Sequence, residues 1–113
     1  MYKIYHNPRC KKSRAGLQYL ESKDVEFEII KYLNDSLSIE KLTRIFAKIN
    51  LKPSEMIRKQ EAKYKSDFKN KSFTDEEWIR IFSQYPKLLN RPIVEAEHKA
   101  VWADPPENID ELL

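Results

Sequence analysis

Cysteine and glycine are the scarcest residues of this chain, with one of each among 113. A single cysteine excludes an internal disulfide framework and a zinc site built from four thiolates. A single glycine excludes the glycine-rich loops that cradle phosphates in nucleotide-binding proteins. No apolar run approaches the roughly 18 residues of a membrane span, and no signal-peptide pattern opens the chain, so a cytoplasmic location is expected.

Neither sign of charge dominates, since 21 Lys and Arg residues stand against 18 Asp and Glu, a net charge of +3. This mild, mixed charge argues against obligatory nucleic-acid binding. Two histidines far apart, with one cysteine, give no recognisable ligand spacing, so we expect no metal site and no bound cofactor. The length and the apolar fraction of 41% predict one globular domain over residues 1–113.

The spacing of apolar residues predicts a β-α-β unit at the start of the chain. Residues 2–6 and 25–30 are β-prone, and a helix is predicted over 11–22 between them. Such a crossover should be right-handed, with parallel strands. Gly16 lies inside the helix, where it either permits close packing against a sheet or is merely tolerated.

Local sequence signals predict helices in the middle of the chain and strands near its end. Helix signals are the N-cap candidate Ser38, the first-turn residue Pro53, the stretch 61–68, and the capping box of Thr74 and Glu77 before a helix that stops before Pro86. Strands follow at 93–94 and 100–102, and then a last short helix. The predicted order is β-α-β, helices, β-β-α.

Cys10 lies between the first strand and the first helix, where unpaired N–H groups and the helix dipole stabilise a thiolate. Ser13 could donate a hydrogen bond to the sulfur or orient a bound anion. Positive or titratable neighbours further stabilise the thiolate: His6, Arg9, Lys11, Lys12 and Arg14. The alternative is a buried, inert cysteine, but such a charged stretch is hard to bury. The pattern therefore favours a reactive thiol that holds an oxyanion beside it.

Two arginines are further candidates for anion binding. Arg91 precedes Pro92 at the start of a predicted strand, where an X-Pro bond can be cis, and Arg58 lies in the helical region. Either guanidinium could bind an anion through two hydrogen bonds, or form a surface ion pair instead. The basic stretch over 63–71 is typical of a solvated face.

Three blocks of sequence resemble the ArsC-type arsenate reductase family, which also includes the Spx regulators. The first block runs from Ile4 through Cys10 to Arg14. The second is Met56-Ile-Arg58-Lys with the following Tyr64-Lys65. The third runs from Pro86 through Arg91-Pro92 to Val94, followed by Pro105-Pro106-Glu107. The resemblance covers essentially the whole chain.

This resemblance implies a thioredoxin-like α/β fold with a helical insertion at about 36–86. It implies that Cys10 attacks arsenate, with His6 assisting the thiolate, and that glutathione and then glutaredoxin resolve the adduct. It also implies that Arg58 and Arg91 bind the oxyanion and that Pro92 is a cis-proline. We therefore assign Cys10, His6 and Ser13 as catalytic, and the substrate-binding residues as Lys11, Arg14, Arg58 and Arg91.

Two departures from the family pattern leave alternatives open. Asp104 stands where classical arsenate reductases carry a third arginine, and residue 13 is Ser where many Spx proteins have a second Cys. An anion near the site would repel arsenate, and Lys11 and Lys12 are the nearby cations that could compensate for it. The alternatives are a thiol oxidoreductase with another substrate, and a non-catalytic partner of RNA polymerase on the Spx pattern.

Overall fold

Four strands form one mixed sheet in a computed structural model that describes residues 1–35 and 37–113. They are β1 (Tyr2–Tyr5), β2 (Phe27–Ile30), β3 (Ile93–Glu95) and β4 (Ala100–Trp102). The order across the sheet is β2-β1-β3-β4. β1 and β2 are parallel, whereas β3 is antiparallel to both β1 and β4. A parallel β-α-β unit followed by an antiparallel hairpin is the arrangement expected from the sequence.

Three α-helices accompany the sheet: α1 (Lys11–Glu21), α2 (Ile39–Lys48) and α3 (Asp75–Gln84). The Ser38 N-cap and the capping box of Thr74 and Glu77 are confirmed, because each cap side chain accepts the expected backbone hydrogen bond. No helix within the described residues is both long enough and apolar enough to span a membrane.

Several predicted helices are shorter than expected. The segment after Pro53 forms only the 3₁₀ turn Pro53–Glu55, and the stretch 61–68 contains the π-helical turn Tyr64–Phe68. The chain ends in the 3₁₀ helix Pro106–Leu112. Tertiary packing outweighs the helix signal in the stretch 61–68, because the π-turn places Phe68 against three other aromatic rings: Phe73, Trp78 and Tyr85.

Buried residues form two clusters, one on each face of the sheet. Ile4 and Val94 join the cluster under α1, whereas their neighbours Tyr5 and Ile93 join the cluster under α2 and α3. This alternation is the period of two that a strand imposes on its side chains. The boundaries 36–86 of the helical insertion and the single domain over 1–113 stay predictions, and residue 36 lies outside the described residues.

Gly16 permits a close approach of α1 to the sheet, one of the two roles considered for it. A Cβ atom at Gly16 would lie 2.5 Å from Pro92 Cγ and 3.6 Å from Ala103 Cβ. The first distance is too short for two carbon atoms, so no side chain fits there without movement. The Arg91–Pro92 bond is cis, as the family resemblance implied, and Asp104–Pro105 is cis as well.

A buried carboxylate joins α2 to the other face of the sheet. Glu95 of β3 is only 3% exposed. Its oxygens accept hydrogen bonds from Arg44 Nε at 2.7 Å, Lys48 Nζ at 2.8 Å and the Tyr5 hydroxyl at 2.6 Å. Burial alone raises the pKa of Glu95, but these three donors outweigh burial and lower it to about 2.

We expect Glu95→Gln to destabilise the fold by about 3 kcal/mol at neutral pH, because two cations lose their charged partner in a buried site. The native pKa lies below the ordinary Glu value of about 4.3, so the stabilisation is fully present above that value. It is lost as the pH falls toward about 2. Urea unfolding at several pH values measures this difference.

The exposed Glu97→Gln is the matched control and should leave the free energy of unfolding nearly unchanged. The difference in the free energy of unfolding between wild type and Glu95→Gln should decrease at acid pH. A difference that stays constant would contradict the interpretation.

Candidate active site

The loop between β1 and α1 forms a tight turn that carries the only cysteine. The Cys10 N–H donates to the Asn7 carbonyl at 3.0 Å and closes the turn. Cys10 is the N-cap of α1, in an extended backbone conformation. Arg14 Nη1 donates to the Pro8 carbonyl at 2.9 Å and ties the first turn of the helix back to the loop. The thiol is therefore held at the positive end of α1.

The surroundings of Cys10 favour the thiolate. Burial alone raises the pKa of the thiol, and it is the largest single influence. The backbone N–H groups of Ser13 and Lys12 and the guanidinium of Arg91 together outweigh it, so the pKa lies below its ordinary value. The resting side chain makes no capping hydrogen bond, which leaves the helix N-terminus open to an added anion.

Arg91 is buried beside the thiol with unused hydrogen-bonding capacity. The residue is 7% exposed, and its Nη1 donates to the Lys87 carbonyl at 3.2 Å. Its Nε has no hydrogen-bond partner within the described residues, although it is fully buried. A buried donor without a partner is costly, so this nitrogen marks a position where an acceptor belongs.

Arg58 is brought to the same place by backbone pairing between two distant segments. Its N–H donates to the Leu88 carbonyl at 2.7 Å, and the Asn90 N–H donates to the Met56 carbonyl at 2.8 Å. The guanidinium of Arg58 also contacts Glu61, with 3.3 Å between Nε and Oε2. The two predicted arginines therefore converge, but one of them is already paired with a carboxylate.

Ser13 and His6 form a buried pair under the loop. His6 Nδ1 lies 2.7 Å from Ser13 Oγ, which also accepts the Asn7 N–H at 2.9 Å. Burial is the main reason that the pKa of His6 is lowered, and the positive charge of Lys31 lowers it further. The ring is therefore neutral at pH 7. We assign its hydrogen to Nε2, which lets Nδ1 accept from the hydroxyl.

This pairing changes the expected role of Ser13. Its hydroxyl is hydrogen-bonded to His6 and to the Asn7 N–H. Its backbone N–H instead stabilises the Cys10 thiolate and lowers the pKa of the thiol. Within the described residues no hydrogen bond joins this hydroxyl to the thiol, and the influence of Ser13 on the pKa of Cys10 comes from its main chain. His6 holds Ser13 in place as a neutral ring, and a direct catalytic role for His6 stays a prediction.

Comparison with known proteins places the chain in a family. The sequence profile of the ArsC family matches residues 5–112. The chain belongs to the ArsC family. An arsenate reductase of Neisseria meningitidis is 39% identical, with 98% of this chain and 97% of that relative aligned. The arsenate reductase of Haemophilus influenzae is 36% identical, with 97% of each chain aligned.

A solved structure agrees with these sequence matches. The arsenate reductase of Vibrio cholerae superposes with a TM-score of 0.91, at 36% identity, over 99% of this chain and 97% of that one. The thioredoxin-like α/β fold predicted from the sequence is thereby confirmed, and so is the family resemblance.

Asp104 departs from the expected pattern of ArsC proteins, and the structure gives it a partner. Lys12 Nζ lies 3.1 Å from Asp104 Oδ2, with the lysine side chain 62% exposed. The ion pair uses one of the two lysines that were expected to compensate for the missing arginine. Lys11, the first residue of α1, is exposed.

Tyr32 is a residue of this site that the sequence analysis missed. It is fully buried, and its hydroxyl donates to the Leu89 carbonyl at 3.3 Å. Burial raises the pKa of Tyr32 to about 12, although the nearby charges of Arg91 and Arg58 oppose the rise. Its position two residues after the end of β2 was the available signal, because the carboxyl ends of the parallel strands β1 and β2 lie at one edge of the sheet.

We expect the rate of Cys10 alkylation by iodoacetamide, followed against pH, to give a thiol pKa below the ordinary value of about 8.5. Arg91→Gln should raise this pKa, because it removes a cation that stabilises the thiolate. The exposed Arg80→Gln on α3 is the matched control and should leave the titration unchanged. A wild-type midpoint at or above the ordinary value would contradict the assignment of Cys10 as an activated thiol.

Proposed function

We propose that this protein is a thiol oxidoreductase that reduces arsenate, with Cys10 as nucleophile and with glutathione and glutaredoxin as the external reductants. Membership of the ArsC family supports a thiol oxidoreductase function and a small oxyanion as substrate. The site supports the finer assignment through one observation above all. Arg91 presents a buried Nε without a partner beside a thiol whose pKa is lowered.

The arrangement suits an oxyanion that is attacked by sulfur. Arg91 Nε and the free N–H groups of α1 supply donors to oxygens of the anion, and Arg58 adds a second guanidinium. The Cys10 thiolate attacks arsenic, an arsenic–oxygen bond breaks, and the departing oxygen leaves as water after protonation. Donors fixed by the fold stabilise the charge on the remaining oxygens, since they need no reorganisation during the step.

An external thiol must complete the reaction, because the chain has one cysteine. The glutathione thiolate attacks Cys10 Sγ, and the sulfur–arsenic bond breaks with its electron pair passing to arsenic. Arsenic thereby falls from oxidation state V to III and leaves as arsenite, while Cys10 remains in a mixed disulfide with glutathione. Glutaredoxin then attacks the glutathione sulfur and releases the Cys10 thiolate.

A reductase with another substrate is the second candidate, and the Lys12–Asp104 pair is the observation that favours it. Asp104 places a carboxylate near the start of α1 and engages a lysine that would otherwise attract anions. A dianion loses more than a monoanion from such a charge reversal. The same thiol chemistry would then act on an oxyanion of lower charge or on a mixed disulfide.

The regulator alternative keeps only part of the surface that motivated it, since the fold engages some residues of the basic stretch while Lys65, Lys69 and Lys71 stay exposed. Lys63 of the basic stretch pairs with Asp67 and lies over the Tyr85 ring. Phe68 packs against the aromatic cluster at the start of α3. These residues serve the fold, which leaves less of the stretch available to a partner such as RNA polymerase.

We expect arsenate to drive NADPH oxidation when the protein is coupled to glutathione, glutaredoxin and glutathione reductase. Cys10→Ser should abolish this activity, because serine cannot form the thiolate. Arg80→Gln should keep full activity and serves as the control for purification and coupling. An active Cys10→Ser protein, or a wild type that consumes no NADPH with arsenate, would refute the proposal.

Asp104→Asn should lower the arsenate KM, because it removes a repelling charge and frees Lys12. We expect a change of about fivefold or less, since solvent and salt screen this pair, whose lysine is exposed and whose aspartate is partly exposed. The exposed Asp35→Asn controls for the change in net charge. Equal arsenate KM values in Asp104→Asn and wild type would show that Asp104 does not weaken substrate binding.

A further inference from the structure

A cavity of about 380 Å³ adjoins the loop between β1 and α1 that carries Cys10, and positively charged side chains line it. Its volume lies in the range of small-molecule pockets, about 300–1,000 Å³. Arg9, Lys31 and Lys87 contribute three cations to it from three separate segments of the chain, and none of the described residues that line it is a carboxylate. The neutral part of the lining is His6, Asn7, Pro8, Leu33 and Asn34.

The three cations of this cavity are uncompensated. Within the described residues none of them forms an ion pair, whereas the nearby Lys12 and Arg58 are each paired with a carboxylate. Bringing like charges together costs free energy, and the fold does not offset it here with an acidic side chain. A ligand with negative groups is the natural counterpart of such a lining.

The position of the cavity relates it to the thiol. Asn7, which lines it, begins the turn that ends at Cys10, so the two Cα atoms lie within about 7 Å. His6 also lines the cavity and contacts Ser13, whose N–H acts on the Cys10 sulfur. The cavity therefore adjoins the same loop that carries the Cys10 thiol.

We propose that this cavity binds the carboxylates of the external low-molecular-weight thiol that attacks the Cys10 adduct. The inference rests on the proposed function, since it names the site for the thiol that the mechanism requires. A ligand seated here must carry a sulfhydryl group to reach Cys10 and negative groups to match Arg9, Lys31 and Lys87. A tripeptide thiol with two carboxylates, such as glutathione, meets both requirements.

The test isolates the thiol step from arsenate chemistry. Cys10, the only cysteine, is first converted to its mixed disulfide with 2-thiopyridine. An attacking thiol forms a new disulfide with Cys10, and the old sulfur–sulfur bond breaks to release pyridine-2-thione, whose absorbance gives the rate. Glutathione is compared with the neutral thiol 2-mercaptoethanol.

We expect Lys31→Gln/Lys87→Gln to lower the glutathione rate constant about tenfold, through the loss of two exposed charge contacts. The 2-mercaptoethanol rate constant should stay unchanged, because that thiol has no carboxylate. Each thiol is compared with itself across variants, so differences in intrinsic thiol reactivity cancel. Lys41→Gln/Lys71→Gln, two exposed lysines elsewhere, matches the change in net charge and should alter neither rate constant.

A glutathione rate constant that is unchanged, or that falls equally with both thiols, would overturn the proposal. The single variants, each expected to lose about threefold, keep the test decisive if the double variant does not fold. The assay contains no arsenate, so a protein that fails to reduce arsenate can still show the carboxylate preference. The failure of this inference and the failure of the proposed function are therefore distinguishable.

Discussion

The close approach of α1 to Pro92 is the contact on which the geometry of the site depends. Gly16 has no side chain to separate the helix from the proline ring. The N-terminus of the same helix carries Cys10, and the residue before the proline is Arg91. One contact between backbone elements therefore holds the Cys10 thiol near the buried Arg91 guanidinium, two groups that lie 81 positions apart in the printed sequence.

Strand β3 connects this site to the opposite face of the sheet. It follows Arg91 and Pro92 directly, and it ends at Glu95, where Arg44 and Lys48 of α2 converge. Three residues of strand thus link Arg91 at one end to a buried carboxylate at the other. That carboxylate is satisfied within the fold, whereas Arg91 Nε is buried without a hydrogen-bond partner among the described residues.

Local signals in the sequence were sufficient for the β-α-β start, the capping box at Thr74 and the position of Cys10 at a helix N-terminus. Each depends on residues a few positions apart, which periodicity and capping rules describe. Tyr32, the Glu95 cluster and the cavity with Lys31 and Lys87 escaped prediction, because their partners come from distant segments. Ser13 was identified, but its hydroxyl bonds His6, a choice that depends on the loop conformation. The segments after Pro53 and around 64–68 became single turns because packing of their side chains outweighed helix propensity.

The solitary cysteine also governs how the protein responds to oxidants. An activated thiolate is readily oxidised to a sulfenic acid, which is normally rescued by condensation with a neighbouring thiol. This chain has no second cysteine to perform that rescue. Unless an outside thiol arrives first, continued oxidation proceeds to the sulfinic acid, which is irreversible outside a specialised repair system. The supply of reduced thiol around the protein therefore decides whether an oxidised Cys10 is recovered or lost.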